Sequence, residues 1–174
     1  MSLSLKDKAL LYLNYEGDKR LGGLAIWLYR LTDGRITGLW KVNVLILTTR
    51  GRRTGKTRTT LLQFFPDGEN IVIVAAKSGR SSHPGWFYNL MANPRVQVQI
   101  MDRIMQVHAE RLSNDEAIAF WPRVLLIAPA YERYQRATSR TIPLVRLTPV
   151  EQAGEQTTLR VVLANQSGTP SQAN

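Results

Sequence analysis

A chain of 174 residues, 44% hydrophobic and 21% charged, is long enough to bury one substantial core and is not disordered as a whole. It has no cysteine, and its two histidines, His83 and His108, lack helical ligand spacing. That excludes a disulfide framework and thiolate chemistry, and it argues against a metal centre. The net charge of +10 suits a polyanionic partner, whether nucleic acid, an anionic membrane or an anionic cofactor, though it could equally serve solubility alone.

At the N-terminus, Leu5, Ala9, Tyr12 and Leu13 fall on one side of an amphipathic helix over Leu5–Tyr15, which Gly17 and Asp18 interrupt. A second helix is expected over Leu21–Leu31, ending at Asp33-Gly34. With Lys6, Lys8, Lys19, Arg20 and Arg30, this pair could lie on an anionic membrane, although packing on the protein's own core is the commoner fate of such a pattern. No apolar run is long enough to cross a bilayer, and no secretory signal opens the chain. The expectation is a soluble or peripheral protein in a reducing cytoplasm.

Val42–Thr49 is almost continuously apolar and β-branched, the pattern of a strand buried on both faces. Thr59–Phe65 and Asn70–Ala76 flank Pro66-Asp67-Gly68 and predict a hairpin. Pro84 suits a helix start and Asn93-Pro94 a stop, so a helix follows His83. Val96, Val98 and Ile100 alternate in a half-buried strand, and Asp102-Arg103 turns into a partner over Ile104–Glu110. Ser113-Asn114-Asp115-Glu116 has the form of a capping box, and Ala117, Phe120, Trp121, Val124, Leu125 and Ala128 continue at helical spacing. Pro122 should kink or split that helix. Pro129 opens a short helix with Tyr131 and Tyr134 on one face, and Ile142–Leu147 is a last strand. Residues 1–148 thus make one domain and 149–174 a polar tail, with a weak strand at Leu159–Leu163. Hairpin-linked strands in the centre and helices around them predict a mainly β, antiparallel sheet closed as a barrel.

Arg50–Arg58 holds five basic residues and no acid. It resembles a P-loop only superficially. Three residues, not four, separate Gly51 from Gly55, and a β-type run follows where a helix should begin, so nucleotide hydrolysis is rejected. A strand–turn–strand with guanidinium groups and free turn amides remains, suited to phosphate or carboxylate. Arg53 and Arg58 on this turn and Lys77 after the neighbouring strand could converge on one anion, whereas a basic turn by itself is more often only a solvated turn.

Three segments, TTRGRRTGKTRTTLLQFF, IVIVAAKSG and HPGWFYNLMANPRVQVQI, resemble the deazaflavin (F420)-dependent nitroreductase and F420H2-dependent quinone reductase family. FWPRVLLIAPAYERYQ and TSRTIPLV match it in the same order. The resemblance implies a split β-barrel of the flavin-reductase type with peripheral helices, and coenzyme F420, whose tail carries a phosphate and glutamate carboxylates. By position it assigns Arg53, Arg58 and Lys77 to that tail. It places Thr54 and the backbone of Ala75, Lys77, Ser78 and Gly79 along the cofactor, and Trp86 and Asn89 beside it. Core packing explains Trp86 equally well. Tyr131 and Tyr134 would line the substrate side of a hydride transfer to a quinone, a nitroaromatic or another conjugated electrophile, unless they simply pack there. Where some nitro-reducing members carry further tyrosines, this chain has Gln63 and Ala128, which favours quinones. An FMN-binding oxidoreductase of the same barrel and a non-catalytic cofactor or lipid carrier are the alternatives. Nucleic acid is not an expected partner, and the fold resemblance allows a homodimer.

Overall fold

The structure, a computed structural model, describes residues 19–32, 34 and 42–150. The expected helix over Leu5–Tyr15 and the tail from 151 onward lie outside the described residues. Six strands form a closed antiparallel barrel: β1 (Val44–Arg50), β2 (Thr57–Asp67), β3 (Asn70–Val74), β4 (Arg95–Ile100), β5 (Arg103–Arg111) and β6 (Leu144–Pro149). Around the barrel they run β1-β2-β3-β6-β5-β4, and β4 pairs back onto β1 through Leu47 opposite Val98. Closure leaves no sheet edge to cover.

Strand alternation sorts the side chains into an inside and an outside. Leu45, Leu47, Leu62, Phe64, Ile71, Ile73, Val98 and Val107 fill the barrel. Val44 and Ile46 face outward against Tyr29 of helix α1 (Lys19–Leu31), so β1 is buried on both sides, as its unbroken apolar run predicts. Tyr29 fastens that helix, because its hydroxyl donates to the Val44 carbonyl at 2.9 Å and accepts from the Met101 amide at 2.8 Å. Burial pushes the Tyr29 phenol above its ordinary pKa, which keeps it neutral for both bonds.

One local expectation changes, and one of two alternatives is decided. Pro66 is not in the β2–β3 turn; it pairs with Ile71 inside the ladder, and Asp67 opposite Asn70 leaves Gly68-Glu69 as the turn. Gly68 takes φ +63°, which glycine adopts without a Cβ penalty. Pro122 does not split helix α3 (Asn114–Ile127). The carbonyl it deprives of a donor belongs to Ile118, a residue 72% exposed, on the water-facing side of the helix where such a loss is tolerated. The capping box forms as expected, with Glu116 N–H bonded to Ser113 Oγ and Ser113 N–H to Glu116 Oε2. Arg146 on β6 then ties Glu116 and Asp67 together at 2.8 Å each, joining α3 to the barrel wall.

Candidate functional site

The β1–β2 connection is the cationic turn. Arg50 pairs with Thr57, so Gly51–Lys56 form the loop itself. Gly51 N–H reaches Lys56 O at 2.8 Å, Gly55 N–H reaches Gly51 O at 2.7 Å, and Lys56 N–H reaches Thr54 Oγ1 at 3.4 Å. A Cβ on Gly51 would lie 2.8 Å from that hydroxyl, so Thr54 is folded into the turn and closes it. Arg52, Arg53, Lys56 and Arg58 are all exposed, and among the described residues none of them forms an ion pair with a carboxylate. The concentrated charge is therefore not neutralised by carboxylates among the described residues, which leaves a positive potential that attracts anions.

Helix α2 (Gly85–Ala92) anchors this turn from beneath. Asn89 accepts from the Arg52 amide at 3.1 Å and donates to Thr49 Oγ1 at 3.2 Å. The Arg52 guanidinium lies 4.7 Å above the Tyr88 ring. One end of the Asn89 amide is thus spent on the turn and the other on the end of β1, so Asn89 clamps the loop to the strand that leads into it. Trp86 sits 4% exposed in the barrel core with Phe87 and Leu90, and its contribution is to seat α2.

After β3 the chain makes a single 3-10 turn, Lys77–Gly79, in an uncommon conformation. Lys77 has φ +48°, Ser78 +52° and Gly79 +75°. Left-handed backbone at the two non-glycine positions costs on the order of 1–3 kcal/mol each and persists only where the surroundings enforce it. Three contacts do so. Arg140 donates to Ala75 O at 3.1 Å, Ala76 O at 2.7 Å and Arg80 O at 2.8 Å, bracketing the turn from both ends. Its remaining nitrogen donates to His83 Nδ1 at 2.9 Å, which requires a neutral ring with its proton on Nε2. Burial, then the charges of Arg140 and Arg111, lowers the His83 pKa and keeps it neutral. Lys77 Nζ donates to Ser82 Oγ at 3.0 Å and to the His83 carbonyl.

The right-handed Ala76 followed by left-handed Lys77 is the backbone sequence of an anion-binding concavity. The internal bonds of this turn are donated by Gly79 to Ala76 O and by Arg80 to Lys77 O, and neither uses the amides of Lys77 and Ser78. Ala75 differs: its amide is taken by Pro143 O and its carbonyl by Arg140, so it shapes the site from inside the wall. Tyr88 and His83 rings, 5.8 Å apart, link the two cationic features across the start of α2. Arg53 and Arg58 extend from the same hairpin, but no contact ties either of them to Lys77.

Gly79 also positions an aromatic wall. A Cβ there would lie 2.8 Å from the Tyr134 carbonyl and 2.8 Å from Ala137 Cβ, so helix α4 (Ala130–Arg136) rests directly on the turn. Tyr131 and Tyr134, 1% and 5% exposed, meet edge to face at 5.4 Å, and Tyr131 meets Phe65 at 5.7 Å. The Lys77–Gly79 turn therefore abuts a buried aromatic pair. Arg140 and Thr49 are the contributors that sequence reasoning passed over. The segment TSRTIPLV contains Arg140, yet nothing in its spacing announces that a residue 65 positions beyond Ala75 reaches that carbonyl.

Comparison with known proteins matches residues 23–149 to a family model described as F420H(2)-dependent quinone reductase. The F420H(2)-dependent quinone reductase Rv1261c of Mycobacterium tuberculosis is 37% identical over 126 residues, 70% of this chain and 85% of that one. A solved F420-H2 dependent reductase superimposes with a TM-score of 0.55 at 32% identity, covering 60% of this chain and 93% of the other. Another solved structure, described as a domain-swapped dimer, gives 0.56 at 28% identity over 71% of this chain and 98% of its own.

Proposed function

Because the chain belongs to the F420H(2)-dependent quinone reductase family, we propose that it is an oxidoreductase that takes hydride from reduced coenzyme F420 and delivers it to quinones and related conjugated electrophiles, nitroaromatics included. The observation that carries this reading is the un-neutralised turn cations together with the strained Lys77–Gly79 backbone, both of which meet the start of α2, the first through Arg52 over Tyr88 and the second through Lys77 Nζ on the His83 carbonyl. That donor set fits a ligand with a phosphate and several carboxylates. Arg53 and Arg58 would grip the tail, Lys77 and the amides of Lys77 and Ser78 would hold the phosphate or ring carbonyls, and Thr54 and Asn89 would keep the turn in shape. When bound, the deazaflavin supplies the hydride chemistry.

What the chain itself does is position and dry. Gly79 brings Tyr131 and Tyr134 against the cradle, and their burial excludes water from the aromatic face. Reducing a quinone by hydride places negative charge on a carbonyl oxygen, which a phenol O–H can stabilise by hydrogen bonding before a proton completes the hydroquinone. The phenol rings offer flat apolar contact to the acceptor. An FMN-binding enzyme would have one phosphate to hold and no carboxylate tail for Arg53 and Arg58.

Titration with oxidised F420, followed by tryptophan fluorescence, tests the assignment. Saturable binding is expected, weakened roughly tenfold in Arg53→Ala and in Lys77→Ala as one charge-assisted contact is lost. Absence of binding, or a preference for FMN, would overturn it.

No helix among the described residues is long and apolar enough to cross a membrane. Leu24, Trp27 and Leu31 are nevertheless 51–65% exposed along α1, with Arg30 beside them. This stripe supports peripheral contact with a bilayer, where apolar quinones partition, by an otherwise cytoplasmic enzyme. Co-sedimentation with anionic phospholipid vesicles, lost in Trp27→Ser, is the expected outcome; wild-type protein that stays in the supernatant would remove the idea.

A further inference from the structure

Two polar residues are buried among the described residues, Thr49 and Gln63, each 3% exposed. Their circumstances differ. Thr49 Oγ1 accepts from Asn89 and donates to Arg58 O, whereas Gln63 Oε1 has no hydrogen-bond partner. A buried acceptor without a partner costs about 1–3 kcal/mol, and the great majority of such groups are satisfied in folded proteins. Leucine or methionine would fill the same space without that penalty.

Position explains what the amide could serve. Leu61, Gln63 and Phe65 follow one another on the outer face of β2. Leu61 packs in the cluster under Tyr29, while Phe65 packs in the cluster containing Tyr131 and Tyr134. Val42 touches both clusters, so Gln63 stands at the seam between them, next to the Phe65–Tyr131 pair. Ala128, in the same cluster as Phe65, presents only a methyl group.

We propose that Gln63 selects the hydride acceptor, favouring quinones that carry an N–H or O–H donor next to a ring carbonyl. This rests on the reading that the acceptor lies against Tyr131 and Tyr134. A primary amide offers a donor and an acceptor side by side. A plain quinone carbonyl takes the N–H end and leaves Oε1 unpaired, but an amino group beside that carbonyl completes both bonds. Discrimination comes from the atom that would otherwise stay buried and unsatisfied.

The test compares equilibrium binding of 2-amino-1,4-naphthoquinone and 2-methyl-1,4-naphthoquinone, which differ at one similarly sized group. Wild type, Gln63→Leu and Gln63→Met are each titrated by tryptophan quenching, with Tm measured alongside. Wild type should bind the amino compound in preference, and that preference should shrink about 5–10-fold in both variants, the loss of one hydrogen bond. Tm should hold or rise, since the unsatisfied amide is gone. A preference unchanged within about twofold overturns the proposal, and a lower Tm with unchanged preference does so by showing a structural role. Failure of the reductase reading would look different: neither quinone would oxidise reduced F420 with the wild type, while the two Kd ratios would still judge Gln63.

Discussion

Gly79→Ala should lose about 2–5 kcal/mol of stability and most of its quinone turnover, through overpacking and left-handed strain together. The added methyl would meet the Tyr134 carbonyl and Ala137 at 2.8 Å and the Tyr134 Cα at 3.2 Å, on backbone already at φ +75°. Backbone cannot swing aside as a side-chain tip can, so α4 must lift and carry Tyr131 and Tyr134 with it. Displacement of a positioning group by about 1 Å can reduce rate by around a hundredfold. Gly68→Ala is the control, since Gly68 shares a positive φ of +63° but has nothing within 4 Å of the new methyl. It should lose only about 1 kcal/mol from strain. Equal Tm losses in the two variants would show that α4 does not rest on the turn.

Arg140→Ala should weaken F420 binding by at least about tenfold and lower Tm, through the loss of several charge-assisted bonds. The guanidinium spans the carbonyls of Ala75, Ala76 and Arg80, and without it Lys77 and Ser78 keep only the Lys77 Nζ bonds and the packing of α4 on Gly79 to hold them left-handed. Arg140→Lys should recover little, because an ammonium lacks the planar fork that reaches separate acceptors. Affinity equal to wild type in Arg140→Ala would mean that the turn keeps its shape unaided. The His83 contact adds a pH dependence. Its folded pKa lies below the ordinary 6.5, so its contribution is complete above that value. Below it the unfolded chain takes up a proton that the folded chain resists, and stability falls with pH until the folded pKa is passed. Protonation would also remove the Nδ1 acceptor facing Arg140, so cofactor affinity should decline over the same acidic range. In a His83→Gln variant that decline should flatten.

Much of the architecture could be read from periodicity because barrel strands are simple two-faced objects. The double burial of Val44–Leu47, the alternation of Val96, Val98 and Ile100, and the Ser113–Glu116 box each express a local rule. The misplaced Pro66 and the unsplit helix at Pro122 have one cause. Proline removes an N–H, and whether that matters depends on where the orphaned carbonyl points, which the sequence does not contain.

The site divides in the same way. By itself the sequence determined the cationic turn of Arg50–Arg58, because five cations without a neighbouring acid are visible before any folding. That no distant carboxylate reaches Arg52, Arg53, Lys56 or Arg58 among the described residues is known only from the structure. The sequence also determined the Tyr131–Tyr134 spacing on one helical face. Only the tertiary structure decided that Arg140 holds the Lys77–Gly79 turn, that Asn89 ties the cationic loop to the end of β1, and that the Gln63 amide oxygen is buried without a partner. Charge density and helical phase are carried by neighbours in the chain. A bond between residues 65 positions apart, or the lack of one, exists only once the barrel has closed.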